Sequence, residues 1–425
     1  MLSSLLSRRS SRDPVPIYLL LVGSRSFLFA LIFTVNLIYQ ATVVGLDPFQ
    51  LVLVGTILEV TCFLFEVPTG IVADLYSRRL SILIGFALIG SGFLVEGAIP
   101  HFGAMIASQI IWGIGFTFTS GSVEAWITDE VGEDVVGHVF LRGTQVGLLA
   151  GIVGTVLSAA LGLISIQLPI ILAGVGMFLL SIALLIIMPE RTMHLTPRED
   201  RSTFEHMCRT FTDGIRLAAS RPVVRTLIGI SLIVGLASEA FDRLNTAFIL
   251  DRFDFPALFG TDNPVIWFGL SSIVSTMLGL TASEVLKRRN PEALGTGTPA
   301  RLLAICAAIQ VATTVIFALS GNLWLAFSML WVRASLGAIT GPVEAAWMNR
   351  NLDSSLRATV ISMNGQTNAI GQVAGGPALG WVGNVVSIRA ALLCSAVILS
   401  PIVALYRRTI PQDHIRDLQA PIVIE

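Results

Sequence analysis

The amino-acid sequence predicts an all-α membrane protein of twelve transmembrane helices, arranged as two pseudo-symmetric bundles of six. Three observations lead to this fold class. Hydrophobic residues make up 54% of the 425-residue chain and charged residues only 13%, about half the charged share of a soluble domain. Twelve apolar runs are long enough to cross a bilayer. Short sequence patterns also recur, in the same order, in both halves of the chain.

The apolar runs each approach the length of about 20 residues that a helix needs to cross the hydrocarbon core. They lie at residues 15–39, 49–74, 80–99, 102–127, 139–163, 167–188, 222–250, 263–286, 299–320, 322–348, 357–383 and 387–406. In the polar segment 191–221, apolar residues recur at helical spacing opposite arginines, which predicts an amphipathic helix on the inner membrane surface. The predicted domains are a bundle at 1–190, a cytoplasmic linker at 191–221 and a bundle at 222–425.

The positions of the positive charges predict the orientation. Most of the 27 Lys and Arg residues fall in the N-terminal segment, in alternate loops and in the C-terminal segment, whereas only Arg252 and Arg389 fall in the opposite loops. Loops rich in Lys and Arg stay cytoplasmic. We therefore expect a multi-pass protein of the cell (inner or plasma) membrane with both termini cytoplasmic. The opening "MLSSLLSRRSSRDP" lacks an apolar region followed by a cleavage site, so it is interpreted as a cytoplasmic tail.

Composition and motifs argue against several other classes of protein. The net charge of −1 gives no sign of a nucleic-acid partner, and the four cysteines and five histidines are scattered without metal-ligand spacing. No phosphate-binding loop is present, so ATP is not expected to drive the protein, and we expect no cofactor. A polytopic membrane enzyme would need clustered catalytic groups at one membrane face, which the sequence lacks. The expected partners are a small-molecule substrate, protons and the lipid bilayer, and the expected state is a monomer.

The two halves of the chain resemble each other at three places. Such parallel repeats of six helices are a transporter architecture. The matching stretches are "GSRSF" at 23–27 with "ASEAF" at 237–241, "GIVADLYSRR" at 70–79 with "GLTASEVLKRR" at 279–289, and "SGSVEAW" at 120–126 with "TGPVEAAW" at 340–347.

One of these stretches also resembles a known family. The pattern Gly70-x-x-x-Asp74-x-x-x-Arg78-Arg79 is similar to the cytoplasmic signature of the major facilitator superfamily, commonly G-x-x-x-D-R-x-G-R-R. The sequence departs from it at Leu75, where arginine is usual, and at Ser77, where glycine is usual. The helix count, the central basic segment and the related halves agree with this family. The resemblance implies the major facilitator fold and a secondary transporter that works by alternating access.

A second stretch resembles the drug/proton antiporter branch of that superfamily. "GLLAGIVG" at 147–154 is similar to its pattern G-x-x-x-G-P-x-x-G-G, with Ile152 in place of the proline, and "GQVAGGPALG" at 371–380 is richer still in glycine. Closely packed glycine-rich helices bend readily. This resemblance implies proton-coupled export.

Charged residues near the cytoplasmic ends of the helices form a candidate gate. The acids of "EAWITDE" are predicted at the same membrane depth as Arg78 and Arg79, so they are expected to bridge in one conformation and separate in another. In the alternative interpretation these charges remain solvated and only fix the topology. The candidate gate comprises Glu66, Gly70, Asp74, Arg78, Arg79, Glu124, Asp129 and Glu344.

Charged residues within the bilayer form a candidate proton and substrate cavity. Their insertion is costly, by about 2.5 to 3.5 kcal/mol each, and they usually mark a transport pathway or a pair. At about 1.5 Å per residue, Arg25 and Glu59 fall at similar depths and are expected to be able to pair. The family resemblance implies that helices one, four, seven and ten line the cavity, and Arg25, Glu239 and Arg333 lie on three of them.

Two interpretations of these four residues stay open. In the first, Glu59 or Glu239 binds a proton whose uptake releases an arginine partner, because burial and a nearby cation shift the proton affinity of a carboxylate in opposite directions. In the second, the charges form permanent pairs that hold helices in register. The leading functional prediction is proton-coupled export of a small, drug-like or amphipathic organic compound. The alternative is uptake of a nutrient or metabolite, or movement of a lipid, by the same fold.

Overall fold

The computed structural model describes residues 13–190, 222–289, 299–351 and 354–409. Within them the chain forms twelve long helices and no sheet, only an isolated bridge between Leu258 and Thr261. The predicted all-helical fold is confirmed. The predicted amphipathic helix and both tails lie outside the described residues. The helices are α1 Pro14–Thr42, α2 Pro48–Leu75, α3 Arg78–Ala98, α4 Phe102–Val131, α5 Glu133–Gly162, α6 Gln167–Ile187, α7 Pro222–Arg252, α8 Pro264–Arg289, α9 Pro299–Ala318, α10 Leu323–Asn351, α11 Ser354–Val385 and α12 Ile388–Thr409.

By length and composition, eleven of the helices found in the described part of the chain can cross a membrane. The other is α11, which has 32 residues and carries Asn364, Asn368 and Gln372 in its middle. Two of these side chains are used in helix packing rather than turned to lipid. Asn368 Nδ2 donates to Ser231 O on α7 at 3.2 Å, and Gln372 Nε2 donates to Asn368 Oδ1 at 2.6 Å. Asn368, supported by Gln372, therefore serves the contact of α11 with α7.

Local sequence explains where helices begin and bend. Asp13 caps α1 by accepting a hydrogen bond from Val15 N, with Pro14 in the first turn, where a missing N–H costs nothing. Helix α4 breaks at Gly121, whose φ of +68° suits glycine. Helix α12 is interrupted at Ser400 because Pro401 cannot donate the next backbone hydrogen bond. Helix α5 begins six residues before the predicted run, and its first turn holds Glu133 and Asp134, which stabilise a helix N-terminus.

The helices form two compact units. The first unit holds residues 13–46, 57–190 and 257–269, and the second unit holds 47–56, 222–256 and the described residues from 270 onward. In the first unit α1 packs on α5 and α6, and α3 packs on α4 and α6. In the second unit the same pairs recur six helices later, since α7 packs on α11 and α12, and α9 packs on α10 and α12. The two predicted bundles therefore share one packing pattern.

Small residues allow the paired helices to approach closely, as expected where lipid supplies no hydrophobic driving force. A Cβ on Gly154 of α5 would lie 2.5 Å from Phe27 O of α1, and a Cβ on Gly375 of α11 would overlap Leu236 O of α7. Gly151 differs, because a Cβ there would meet nothing within 4 Å. Only part of the glycine pattern on α5 therefore serves packing.

The repeated tryptophans explain one of the sequence echoes. Trp126 of "SGSVEAW" is 2% exposed and Trp347 of "TGPVEAAW" is fully buried. Trp126 Nε1 donates to Pro189 O at 2.9 Å, and the Trp347 ring packs against Tyr406 at 6.0 Å between centroids. In each unit the tryptophan therefore joins the C-terminal part of α4 or α10 to the end of the last helix of its bundle.

Candidate functional site

The turn between α2 and α3 is built around Ser77, one of the two departures from the family signature. Ser77 is extended, with φ −174°, and its Oγ accepts from Leu80 N at 2.8 Å, so it caps α3. The same hydroxyl donates to the Glu190 carboxylate at 2.8 Å. A glycine would provide neither hydrogen bond. The serine therefore ties the start of α3 to the chain that follows α6.

Arg78 and Arg79 are the first two residues of α3, where positive charge opposes the helix dipole. Both find acceptors in the first unit. Arg78 Nη1 forms an ion pair with Asp129 and donates to Ala125 O at 2.9 Å. Arg79 Nη2 donates to Leu185 O at 2.7 Å. These acceptors come from the C-terminal parts of α4 and α6, and the Leu185 carbonyl lies in the last turn of α6, where carbonyls lack helical partners. The two arginines therefore join the start of α3 to α4 and α6.

The other candidate gate residues are more dispersed. Glu66 is exposed on α2, while Gly70 and Asp74 are half-buried further along the same helix. Glu124 is exposed and acts electrostatically on the Tyr18 hydroxyl. The structure thus joins Arg78 to Asp129, and Glu124 forms no ion pair among the described residues.

Glu344 belongs to the second unit. It lies on α10, is half-buried, and acts electrostatically on the Tyr406 hydroxyl. Its position in the repeat corresponds to that of Glu124, yet its surroundings differ. Its role in the candidate gate stays a prediction.

In the first unit, Arg25 and Glu59 are both half-buried in spanning helices. Arg25 acts electrostatically on the Tyr18 hydroxyl, and Glu59 acts on the Cys62 thiol together with Glu66. The contacts described for Arg25 do not include Glu59. Their pairing stays a prediction.

The sequence analysis missed a buried carboxylate in the first unit. Glu96 of α3 is 1% exposed, and Gln40 Nε2 donates to its Oε1 at 2.8 Å while Ser108 Oγ donates to its Oε2 at 3.2 Å. Tyr39 adds a hydrogen bond from its hydroxyl to Glu96 O at 2.8 Å. The signal was a lone glutamate in the apolar stretch "FLVEGAIP". This network joins α1, α3 and α4.

A cluster of four charges lies in the second unit. Glu239 of α7 is 4% exposed, and Arg243 Nε, one turn later, donates to its Oε1 at 2.9 Å. Asp242 interacts electrostatically with Arg333 of α10 as well as with Glu239 and Arg243. Two predicted cavity residues, Glu239 and Arg333, are thus part of one charged cluster.

Gly55 of α2 provides the space for the ion pair in this cluster. A Cβ at this position would overlap Glu239 Oε1 and Arg243 Nε. Gly376 of α11 lies on another side, where a Cβ would be 3.2 Å from Glu239 Cγ and 2.7 Å from Thr56 Oγ1. The Glu239–Arg243 pair therefore occupies the space that a side chain at position 55 would need, and Glu239 packs closely against Gly376.

Arg333 is held mainly by an aromatic ring and a hydroxyl. Its Cζ lies 3.9 Å from the centroid of the Phe241 ring, a cation–π contact. Its Nη1 donates to Thr314 Oγ1 of α9 at 3.2 Å. As residues, Arg333 is half-buried and Asp242 is exposed.

The sequence analysis named Glu239 and Arg333 but left Asp242 and Arg243 out of the candidate site. A signal for them was present in the spacing, because Glu239, Asp242 and Arg243 stand at i, i+3 and i+4. Such positions share one face of a helix. The arrangement offers two carboxylates that can accept protons and two guanidiniums that can bind anions, within one unit.

Twelve long helices in two repeats, eleven of which can cross a membrane in the described part of the chain, with ionisable groups enclosed among them, are the architecture of a membrane transporter. Residues 17–309 match the family model of the Major Facilitator Superfamily. The chain belongs to this superfamily. It is accordingly a transporter and not an enzyme.

Individual relatives agree with this family. The chain is 22% identical over 386 residues to the uncharacterized MFS-type transporter YxaM of Bacillus subtilis (strain 168), which covers 88% of this chain and 91% of that protein. Among solved structures, a mutant of the nucleoside transporter NupG has a TM-score of 0.75 at 15% identity, covering 93% of this chain and 99% of that one. The peptide transporter POT has a TM-score of 0.74 at 14% identity, covering 97% and 98%. These structural likenesses concern the fold.

Proposed function

We propose that the protein is a secondary transporter that works by alternating access and exports a small amphipathic organic compound with coupling to protons. The observation that carries this proposal is the charged cluster of the second unit. Glu239 is buried with Arg243, and Asp242 is within electrostatic reach of Arg333. Ionisable residues within a bilayer are retained mainly where they serve ion or substrate movement.

The cluster supports a coupling step in which a proton replaces an arginine as the partner of a carboxylate. A deprotonated Glu239 holds Arg243 by an ion pair. Protonation removes the negative charge, so the guanidinium is released and becomes available to another anion. Because Glu239 is enclosed by Gly55 and Gly376, a change in this pair would be transmitted to the helices that carry them. Arg25 and Glu59 are proposed to play a corresponding part in the first unit.

The alternative proposal is movement of a polar metabolite by the same fold. It is favoured by the solved structures reported above, which are described as nucleoside and peptide transporters. Export of a drug-like compound rests instead on the glycine pattern of α5, in which an added Cβ on Gly154 would meet α1 and one on Gly151 would meet nothing within 4 Å. The two proposals share the proton-coupling step and differ in the substrate and in the direction.

The test is transport by purified protein in sealed vesicles with an imposed pH gradient, using a panel of lipophilic cations, antibiotics and metabolites. We expect gradient-dependent movement of at least one labelled compound, and a loss of at least tenfold in Glu239→Gln. The matched control is Glu284→Gln, since Glu284 forms the same i, i+4 pair with Arg288 but on an exposed surface. Movement that is indifferent to the gradient, or full activity in Glu239→Gln, contradicts this role.

We propose further that the Arg78–Asp129 pair belongs to a cytoplasmic gate that forms and separates during transport. The pair is half-buried, at 20% and 17% side-chain exposure. Arg78→Asp is expected to reduce transport several-fold, and the exchange Arg78→Asp with Asp129→Arg is expected to restore part of it. If the exchange gives no recovery while both variants reach the membrane, the pair has no such role.

The remaining proposals concern the oligomeric state, the membrane and the orientation of the protein. The protein is proposed to act as a monomer in the cell membrane with both termini in the cytoplasm. Single cysteines introduced at exposed loop residues, such as Ser165 and Asn322, are expected to react with a membrane-impermeant thiol reagent added outside intact cells. Labelling only after cell lysis would reverse the orientation.

A further inference from the structure

The Arg333 guanidinium has more hydrogen-bonding capacity than its contacts use. It has five N–H donors, and one of them is directed at Thr314 Oγ1. One face of the group is covered by the Phe241 ring, which accepts no conventional hydrogen bond. Among the described residues no carboxylate forms an ion pair with it. Arg333 is therefore a half-buried cation that is held in position while most of its N–H groups remain available as hydrogen-bond donors.

Asp242, its electrostatic partner, is in a different situation. Asp242 is exposed as a residue, whereas Arg333 is half-buried. Leaving polar groups of a charge unsatisfied in a low-dielectric region is costly. The complement of a half-buried cation with hydrogen-bond donors still available is an anion.

We propose that Arg333 is the anion-binding subsite of this transporter, and that the substrate is a small organic anion bearing a carboxylate, phosphate or similar oxyanion group. The proposal rests on the proposed transport function and names its substrate class. The planar fork of a guanidinium matches an oxyanion with two parallel hydrogen bonds. Phe241 and Thr314 position this fork from α7 and α9.

The charge balance of the cluster predicts that the anion binds together with a proton. Glu239 and Asp242 are balanced by Arg243 and Arg333, so a bound monoanion adds one uncompensated negative charge. The charged groups that act on Asp242 are Arg333, Glu239 and Arg243. An anion on Arg333 weakens the attraction that this guanidinium exerts on Asp242, and a proton from solvent then neutralises the exposed carboxylate.

The experiment uses the full-length protein in detergent at fixed pH, with no gradient, and three probes that share one ring. Benzoate is the anion, benzamide the neutral control and benzamidine the cation. Benzoate is expected to raise Tm in a saturable way, and the two other probes are not. Arg333→Gln is expected to weaken benzoate binding at least tenfold, Arg333→Lys to retain part of it, and Arg288→Gln, an exposed arginine on α8, to leave it unchanged.

A second measurement follows the proton. Adding benzoate to a weakly buffered sample is expected to raise the pH with wild type and not with Asp242→Asn, although this variant still binds benzoate. Tm without any probe shows that each variant is folded.

Three results would overturn the proposal: unchanged benzoate binding in Arg333→Gln, preference for benzamidine that Asp242→Asn abolishes, or no Tm shift with any probe. Because no gradient is imposed, these results are independent of whether vesicle transport is coupled to protons.

Discussion

Two glutamates, one in each unit, are almost completely buried in spanning helices and are satisfied in opposite ways. Glu96 in the first unit is 1% exposed and Glu239 in the second is 4% exposed. Glu96 accepts hydrogen bonds from the Gln40 amide and the Ser108 hydroxyl. Glu239 accepts from the Arg243 guanidinium. Two equally buried carboxylates therefore differ in their partners. Glu96 accepts hydrogen bonds from neutral donors, whereas Glu239 forms an ion pair.

The two halves of the repeat thus share their helix packing but differ in the charged residues that they carry. The same helix pairs recur in both units, and Trp126 and Trp347 are buried at corresponding positions. At the echo of "GSRSF" and "ASEAF", however, Arg25 in the first unit corresponds to Glu239 in the second. Packing constrains both units alike, whereas the charges have diverged. A coupling step in the first unit would therefore use different charged groups from those of the second.

The largest effect is expected from Arg243→Ala. Removing one partner of a buried ion pair leaves an uncompensated charge, which costs about 3 to 5 kcal/mol. We expect a loss of this size in the free energy of unfolding, measured by denaturant titration in lipid–detergent bicelles. Adding Glu239→Gln should recover part of the loss. Arg288→Ala, which breaks an exposed pair of the same spacing, serves as the control, and an equal loss in both variants would contradict the contrast.

A smaller effect is expected from Gly55→Ala. The added Cβ would overlap the ion pair of Glu239 and Arg243, and overpacking of this kind costs about 1 to 3 kcal/mol. Gradient-driven transport in vesicles should fall several-fold because the pair is displaced. Gly151→Ala adds the same methyl group where nothing lies within 4 Å, so it should behave as wild type. Equal activity of the two variants would mean that the enclosure of the pair is unimportant.

The smallest effect is expected from Glu96→Gln. The new amide oxygen can still accept a hydrogen bond from Gln40. The new amide nitrogen can donate to Gln40 Oε1, a buried atom that has no hydrogen-bond partner among the described residues, or to the Ser108 hydroxyl. A neutral exchange of this kind is expected to change stability by about 1 kcal/mol or less. A loss comparable to that of Arg243→Ala, in the same bicelle assay, would show that the negative charge of Glu96 itself is required.

The sequence predicted the fold well because the bilayer imposes it. Apolar runs of membrane length must become helices, since lipid cannot satisfy exposed backbone groups, and all twelve runs did. The predicted helix boundaries were wrong where polar residues extend a helix beyond its apolar run, as at Glu133 of α5.

The candidate site was predicted only in part. An acid and an arginine at helical spacing, such as Glu239 and Arg243, could have been paired from sequence. The hydrogen bond between Gln40 and Glu96 spans 56 residues, and no local pattern predicts it. Ser77 was noted as a departure from a signature, although the preference for serine at a helix N-cap would have explained it.

The hydrogen bonds that hold residues 189 and 190 affect how motion can pass between helices. Pro189 O is held by Trp126, and the Glu190 carboxylate is held by Ser77 at the start of α3. The connecting segment to the second half of the chain thus departs from an anchored point rather than from a loose helix end. A displacement of residues 189 and 190 would therefore act on α3 and α4 together.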